Sequence, residues 1–538
     1  MRRSIICYVS IILAVAMLTT VLVYLGASDD IQRHHQHLER PSEADLGDCL
    51  HCVGDMFCTH LPLVVIDTFG AEIPGRPLNY VLGRFGSFGE YLVTTPEGET
   101  ETKVSVSVID NSNDWNHIDD PPSHASLAMM RIRGNSSRFF DKPNYRIQLI
   151  HPNGENNHMP LLGMNPHFEW ALHGPFLDKT LMRNYMWMNI GAEVMGPGHF
   201  VPEVRFFELI LNGEYQGVYV LMETISVSPH RVALNRYRGG MPATSYLVRF
   251  DSRTHTPERI ANTFVTYTYR LEGLNSMEIM YPSRSQQSDR VRSYVARSIS
   301  NIDLLLYSTE IIHDPRAYER YIDVNSFVNF YLINEFIANN DLWTGSTYFH
   351  KDVRGQIIAG PLWDFNNVMD NFFLSVPVDG FLLADRGWFD RLMMCEGFTD
   401  RVIRRWHELR RGTLAEDRLI RYMEETEAWL GSAIDRNFEV WGYSFDPLQV
   451  NAMSRRGPTH DQVTARVPVY DGMSLAAYEA ARYQTRRDMI REMNPSSFEE
   501  AQDWARDFMV ERGRWMDDYI ETLRQFSHPS RHAVWTLQ

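Results

Sequence analysis

Apolar residues recur at three- and four-residue steps along 324–336, where Val324, Phe327, Val328, Tyr331, Leu332 and Phe336 fall on one stripe, so an amphipathic helix is predicted there. Asp323 stands at its N-cap position. The pattern breaks at Asn339-Asn340, which leaves Asp341 just past the helix exit. Residues 346–351 are then rich in β-formers, Asp352-Val353-Arg354-Gly355 has turn chemistry, and 356–359 return to strand composition, which predicts a β-hairpin. Directly after it stands Pro361-Leu362-Trp363-Asp364-Phe365-Asn366. The order is helix, acidic loop, hairpin, acidic loop, and a hairpin that folds back on itself brings Asp341 and Asp364 towards each other.

The same patterns extend along the chain. Residues 61–67 (LPLVVID) read as a buried strand, followed by strand-like runs at 91–95 and 103–109. Two strands flank the loop Gly134-Asn135-Ser136-Ser137, and 139–149 is the second of them. Residues 169–183 lead into a helix reaching about Ile190. Residues 205–223 form a hairpin around Asn212-Gly213, ending at Glu223, and 245–251 give another strand. Residues 286–340 are mainly helical; helical spacing returns near 398–411, 416–435 and 497–526, with a long loop expected at 450–472. Gly83, Gly86 and Gly89 have the spacing of turns, not of a nucleotide fingerprint.

The fold class is therefore α+β, with a β-rich region first and a helical subdomain last. Residues 4–28 contain no charge and are long enough to cross a bilayer once as a transmembrane helix. Arg2-Arg3 before the run and Asp29-Asp30 after it place the tip in the cytoplasm and the remainder outside it, periplasmic or at the cell surface; a cleaved signal peptide is the rival reading. The expected divisions are a cytoplasmic tip and anchor at 1–28, a polar linker with a cysteine cluster at 29–58, a β-rich region at 59–125, a catalytic core at 126–380 and a helical subdomain at 381–538.

Composition removes some functions and sharpens others. A formal net charge of −16 over 538 residues argues against nucleic-acid binding. Only Lys103, Lys142, Lys179 and Lys351 stand against 48 arginines, so a retained lysine marks a place for a compact ammonium, chance survival being the plain alternative. Cys49, Cys52 and Cys58 cluster beyond the anchor, where a disulfide is expected; redox or zinc chemistry is open, but no second Cys-x-x-Cys completes four ligands. His34, His35 and His37 read as solvated linker residues.

Two carboxylates held together repel unless a cation or proton lies between them, and oxygen-rich sites of that kind suit Mg²⁺ or Mn²⁺. Protein kinases use the same order of parts: a base Asp, an amide five residues on, a hairpin and a metal-binding Asp. Here Ser346 stands five residues after Asp341. Each Asp can equally cap a turn or a helix end. The loop at Asn135-Ser136 can offer backbone N–H groups and hydroxyls to a phosphate, and Lys142 follows it. No Walker A, HExxH or Gly-x-Ser-x-Gly motif competes.

Taken together, several motifs resemble the CotH kinase family, the atypical spore-coat-type protein kinases. They are the strand at 61–66, Arg133-Gly134-Asn135-Ser136-Ser137, Asp141-Lys142-Pro143, Leu161-Leu162-Gly163, Leu177-Asp178 with Arg183-Asn184, the run 211–219 through Glu223, Asn339-Asn340-Asp341 and Gly360-Pro361-Leu362-Trp363-Asp364-Phe365. They occur in the family's order over 61–371. The resemblance implies an atypical protein-kinase-like core that transfers the γ-phosphate of ATP to protein Ser or Thr. It implies Asp341 as catalytic, Asp364 with Asn366 as metal ligands, and Lys142, Glu223, Asn135 and Ser136 as nucleotide-binding residues, Glu223 as the partner of Lys142. Three positions depart from the family: Asn366 stands where a second Asp is usual, Arg249 where an acid is usual, and Asn144 separates Lys142-Pro143 from Tyr145 where Lys-Pro-Tyr is usual. A catalytically silent relative that acts as a binding or scaffold protein, and a two-carboxylate glycosidase, are the alternatives.

Overall fold

A computed structural model describes residues 33–52, 57–78, 91–241, 243–250, 263–264, 277–343, 345–371, 375–469 and 473–528. The expected membrane span at 4–28 and the glycines at 83, 86 and 89 lie outside these residues. No helix among the described residues is long and apolar enough to cross a membrane.

Seven strands close into a barrel: β2 (Leu63–Asp67), β3 (Thr102–Ile109), β5 (His124–Arg133), β6 (Asn144–Ile150), β7 (Glu169–His173), β9 (Glu214–Glu223) and β8 (Val204–Leu211), in that spatial order. Two further short strands, β1 (Cys58–Thr59) and β4 (Asn116–His117), pair beside it. β3 shows why the barrel forms. Val104, Val106 and Val108 point inward and are buried, while Lys103, Ser105 and Ser107 alternate outward. Each inward aliphatic side chain contributes ~1.5–3 kcal/mol by leaving water. The closing contact is the parallel pair β2–β8, Leu63 opposite Glu208, between segments far apart in sequence. The expected strand at 91–95 is reduced to one bridge, Leu92 to Pro77.

A second sheet has the order β11 (Thr263–Phe264), β12 (Met277–Tyr281), β10 (Tyr246–Phe250), β13 (Thr347–Lys351), β14 (Ile357–Ala359). The last two strands are the expected hairpin, with Phe349 opposite Ala359. Helices α1 (Arg183–Met195), α2 (Asp289–Leu306) and α3 (Val324–Phe336) share a large apolar core with this sheet. The Asp323 carboxylate accepts the Ser326 N–H at 2.8 Å, so the expected cap is present. α3 is not amphipathic, however: every residue after Asn325 is buried, Glu335 included. Burial of that carboxylate is compensated by the backbone N–H groups of Leu382 and Leu383 at 2.7 and 2.8 Å and by the equally buried Arg512 at 2.5 Å.

Arg512 belongs to the C-terminal helices α4 (Glu396–Arg410), α5 (Glu416–Leu430), α6 (Ser432–Trp441), α7 (His460–Arg466), α8 (Leu475–Glu492) and α9 (Phe498–Tyr519). The single helix expected at 416–435 breaks at Gly431, whose φ is +50°. The loop expected at 450–472 contains α7, begun by a capping box between Thr459 and Gln462. α8 was not expected, because its few apolar residues form no stripe and only Met489 and Ile490 are buried. α6 lies against β9 at Gly217, where a Cβ would come within 2.5 Å of Asn437 Oδ1.

Residues 33–46 are a packed strap, which corrects the reading of 29–58 as a solvated linker. Gln36 is 2% exposed and its amide pairs both ways with the Phe206 backbone, at 2.7 and 3.1 Å. His37 is buried against the Tyr185 hydroxyl at 2.9 Å, and burial, helped by His35, lowers its pKa to about 3. Arg33 donates to Asn189 at 2.9 Å and Arg40 to Asp110 at 2.9 Å. Only His34, of the three histidines, is well exposed. The strap satisfies long-range partners that no local pattern announces. Among the described residues no disulfide is formed, where one was expected: Cys49, Cys52, Cys58 and Cys395 are unpaired.

Candidate active site

The helix exit and the post-hairpin loop converge as their order in the chain required. Asp341 follows α3 and its N–H donates to Asn339 Oδ1 at 3.2 Å. Asn367, in the turn after β14, donates from Nδ2 to Asp341 Oδ2 at 3.2 Å. Asn366 Nδ2 in turn donates to Asn367 Oδ1 at 3.1 Å. Asp364 lies in the same loop, with the Ser346 hydroxyl 3.5 Å from its Oδ2, a long contact. Asp341, Ser346, Asp364, Asn366 and Asn367 thus line one locale formed by two segments about twenty residues apart.

The backbone there is strained. Ala338, Trp343, Ser346, Asp364, Met369 and Asp370 all have positive φ, between 47° and 69°, and only four other non-glycine positions among the described residues do. Such conformations cost on the order of 1–3 kcal/mol each and persist only where the surroundings impose them. The surroundings are visible. Arg183, at the start of α1, donates from Nε to the Val368 carbonyl at 3.1 Å and from Nη1 to Asp178 at 2.5 Å. Asn184 accepts the Phe365 N–H at 2.8 Å and donates to His173 Nε2 at 3.0 Å. Burial lowers the His173 pKa to about 3, so it is neutral and able to accept. Arg183-Asn184 and Asp178, motif residues without an assigned role in the sequence, therefore clamp residues 365–368.

The oxygen donors suit a hard divalent cation. Asn366 Oδ1 is buried and has no hydrogen-bond donor among the described residues, a costly state for an amide oxygen unless something is bound to it. It lies two residues from the Asp364 carboxylate, so the pair can offer one charged and one neutral oxygen to Mg²⁺ or Mn²⁺.

Arg133 is a site residue that sequence reasoning left without a role. Its guanidinium stacks on Trp363, 5.1 Å from the ring centroid. Burial lowers its pKa, and Asp364 is the carboxylate that most opposes the shift. The available signal was the alternation Arg131, Arg133 at the end of an otherwise apolar strand, which puts both on the outer face of β5. On the second sheet Arg249 is opposite Glu278 in register and donates to it at 2.9 Å, so an acid is present beside the position where the resemblance lacked one.

The expected Lys142–Glu223 pair is not formed. Lys142 is 1% exposed; its ammonium donates to the Val218 carbonyl at 2.6 Å and Asn437 Oδ1 at 2.7 Å and faces the Tyr219 ring. It joins the barrel to α6. Glu223, at the end of β9, accepts the Glu203 N–H at 3.0 Å, lies 3.9 Å from Arg231, and has its pKa pushed up to about 7, chiefly by burial. In this conformation the Lys142 side chain is committed to the contact between β9 and α6, and burial lowers its pKa well below the usual lysine value. Asn135 and Ser136 follow Gly134 in the loop after β5; a Cβ on Gly134 (φ +111°) would meet Ser137 Oγ at 1.9 Å, so the loop folds on itself. Lys142→Ala is expected to lower the melting temperature by several degrees, since a buried joint is emptied, with ATP affinity of the folded variant unchanged. Calorimetry and a nucleotide titration check this, and lost ATP binding at full stability would restore the phosphate role.

A cavity opens nearby between Arg183, Asp370, Asn371, Arg456 and Trp504, but Asp341, Asp364 and Asn366 do not line it. The family model described as CotH kinase protein matches residues 130–516. The matched span runs from within β5 into α9 and includes every residue of the convergent locale. No curated protein matches the chain.

Proposed function

The chain belongs to the CotH kinase protein family, and from that premise we propose that it transfers the γ-phosphate of ATP to Ser or Thr of a protein acceptor in a metal-dependent reaction. The Asn367 bridge between the Asp341 carboxylate and the loop of Asp364 and Asn366 supports this most directly. Asp341 accepts the proton of the acceptor hydroxyl and aims it, with Asn367 fixing which carboxylate oxygen is turned away from the acceptor. Asp364 and Asn366 Oδ1 would hold Mg²⁺ or Mn²⁺, which when bound neutralises charge on the phosphates. Arg133 offsets the charge of Asp364. Phosphoryl transfer is chiefly positioning and charge neutralisation, and the clamp by Arg183 and Asn184 serves positioning.

The anchor belongs to the same reading. The uncharged run at 4–28, with arginines before it and aspartates after it, favours a single-pass protein whose main domain is extracytoplasmic. Protease added to right-side-out vesicles should digest the domain, and full protection would overturn this placement. Transfer itself is tested with purified chain, radiolabelled ATP, Mn²⁺ and a mixture of protein acceptors. Label in acid-stable phosphoserine or phosphothreonine is expected. ATP binding without incorporation favours instead the silent relative, for which Asn366 and Ser346 are the suggestive departures.

A further inference from the structure

We propose that Cys49, Cys52, Cys58 and His117 form a tetrahedral zinc site that fastens the N-terminal strap to the barrel. The four lie outside the span that matches the family. Their ligand atoms are all within 4.8 Å of one another. Zinc bonds of ~2.0–2.3 Å put tetrahedral ligand atoms roughly 3.3–3.8 Å apart, so a small inward movement closes the set. Cys49 Sγ and His117 Nε2 are already 3.2 Å apart.

Each ligand is placed by a different piece of structure. Cys49 and Cys52 come from one Cys-x-x-Cys turn after the strap. Cys58 is on β1 and His117 on β4, directly opposite in the antiparallel register, which puts thiol and imidazole side by side. The missing fourth ligand of the sequence pattern is therefore supplied from 59 residues further along the chain, by strand pairing.

The histidine is oriented from behind. Asp120 Oδ2 lies 3.2 Å from His117 Nδ1 and also accepts the His117 N–H at 2.9 Å and the Asn111 amide at 2.7 Å. A carboxylate on Nδ1 fixes the tautomer with the proton there and leaves Nε2 as the lone-pair nitrogen facing the sulfurs, the usual support of a zinc histidine. A disulfide accounts for this arrangement less well. It would use two of three thiols, strand the third, and give no role to the buried, oriented His117. Three thiolates and one imidazole select zinc over magnesium or manganese, and loading releases the three thiol protons.

The site closes a loop of chain. The strap before it is pinned to α1, β8 and α5 by Arg33, Gln36 and His35, and the metal would pin its far end to β4. The site has no part in phosphoryl transfer.

The test uses the full chain purified without chelator. Metal analysis should find about one zinc per chain, as one closed four-ligand site requires, lost in Cys58→Ser and in His117→Gln. Cobalt(II) added to metal-free, reduced wild-type chain should give intense thiolate-to-cobalt absorption that zinc bleaches, a result independent of whether the variants fold. Absence of both zinc and the cobalt spectrum overturns the proposal. So does a Cys49–Cys52 or Cys52–Cys58 disulfide found by mass spectrometry in most of the protein after thiol blocking at lysis, or stoichiometric iron or copper in place of zinc.

Discussion

Asp364→Ala should remove metal-dependent transfer altogether. Asp364 is the only carboxylate in the loop 361–368, its partner Asn366 contributes no charge, and its position in the loop is held by Asn184 and Arg183. Losing it leaves a neutral amide to bind the cation, and a Lewis acid contributes several kcal/mol to a charged transition state. At ~1.4 kcal/mol per factor of ten, a loss of roughly 10³-fold or more is expected. Affinity for Mn²⁺·ATP should fall with it, while affinity for metal-free ATP changes little. Backbone effects must be separated, because Asp364 has φ +64° and alanine tolerates that poorly. Asp364→Asn is the control: asparagine accepts the left-handed conformation, keeps the volume and removes only the charge. It should fold like the wild type and show weak activity recovered in part by excess Mn²⁺. Wild-type transfer by Asp364→Asn without added metal would remove Asp364 from the metal site.

What the chain announced in advance was local. The cap at Asp323, the helix to Phe336 and the hairpin at 347–359 each arise from residues within a few positions of one another, and there turn chemistry and periodicity decide the outcome. Convergence of Asp341 and Asp364 followed from that local order. The roles that stayed hidden depend on partners distant in sequence. Lys142 meets Asn437 across 295 positions, Gln36 meets Phe206 across 170, and Cys49 meets His117 across 68. A rare lysine reads the same whether it faces phosphate or bridges a barrel to a helix, and an odd cysteine reads as a leftover until a histidine on another strand is paired with it. Asn367 was hidden for a different reason. Its neighbour Asn366 fell at a motif position and drew the attention, though Asn367 makes the bond that joins the two halves of the site.

Asp341→Asn should leave ATP bound and stop its use. The substitution keeps an oxygen that can still accept from Asn367 Nδ2, so the post-hairpin loop and its metal ligands are undisturbed. What disappears is a group able to take the acceptor's proton. Removing a general base in that position typically costs ~10²–10⁴-fold in turnover. The expected signature is therefore a split: Kd for Mn²⁺·ATP within twofold of wild type, and kcat down by two to four orders of magnitude, roughly as that principle predicts. Asn367→Ala provides the complementary test, since it removes the group that holds Asp341 but not Asp341 itself. It should lower kcat by a smaller factor, about tenfold for a lost positioning bond of ~1–1.5 kcal/mol, with ATP affinity intact. Where Asp341 serves only to cap the end of α3, neither variant loses turnover at a temperature where it is folded. Equal loss of ATP binding and of turnover in Asp341→Asn would instead move Asp341 from the acceptor side of the site to the nucleotide side.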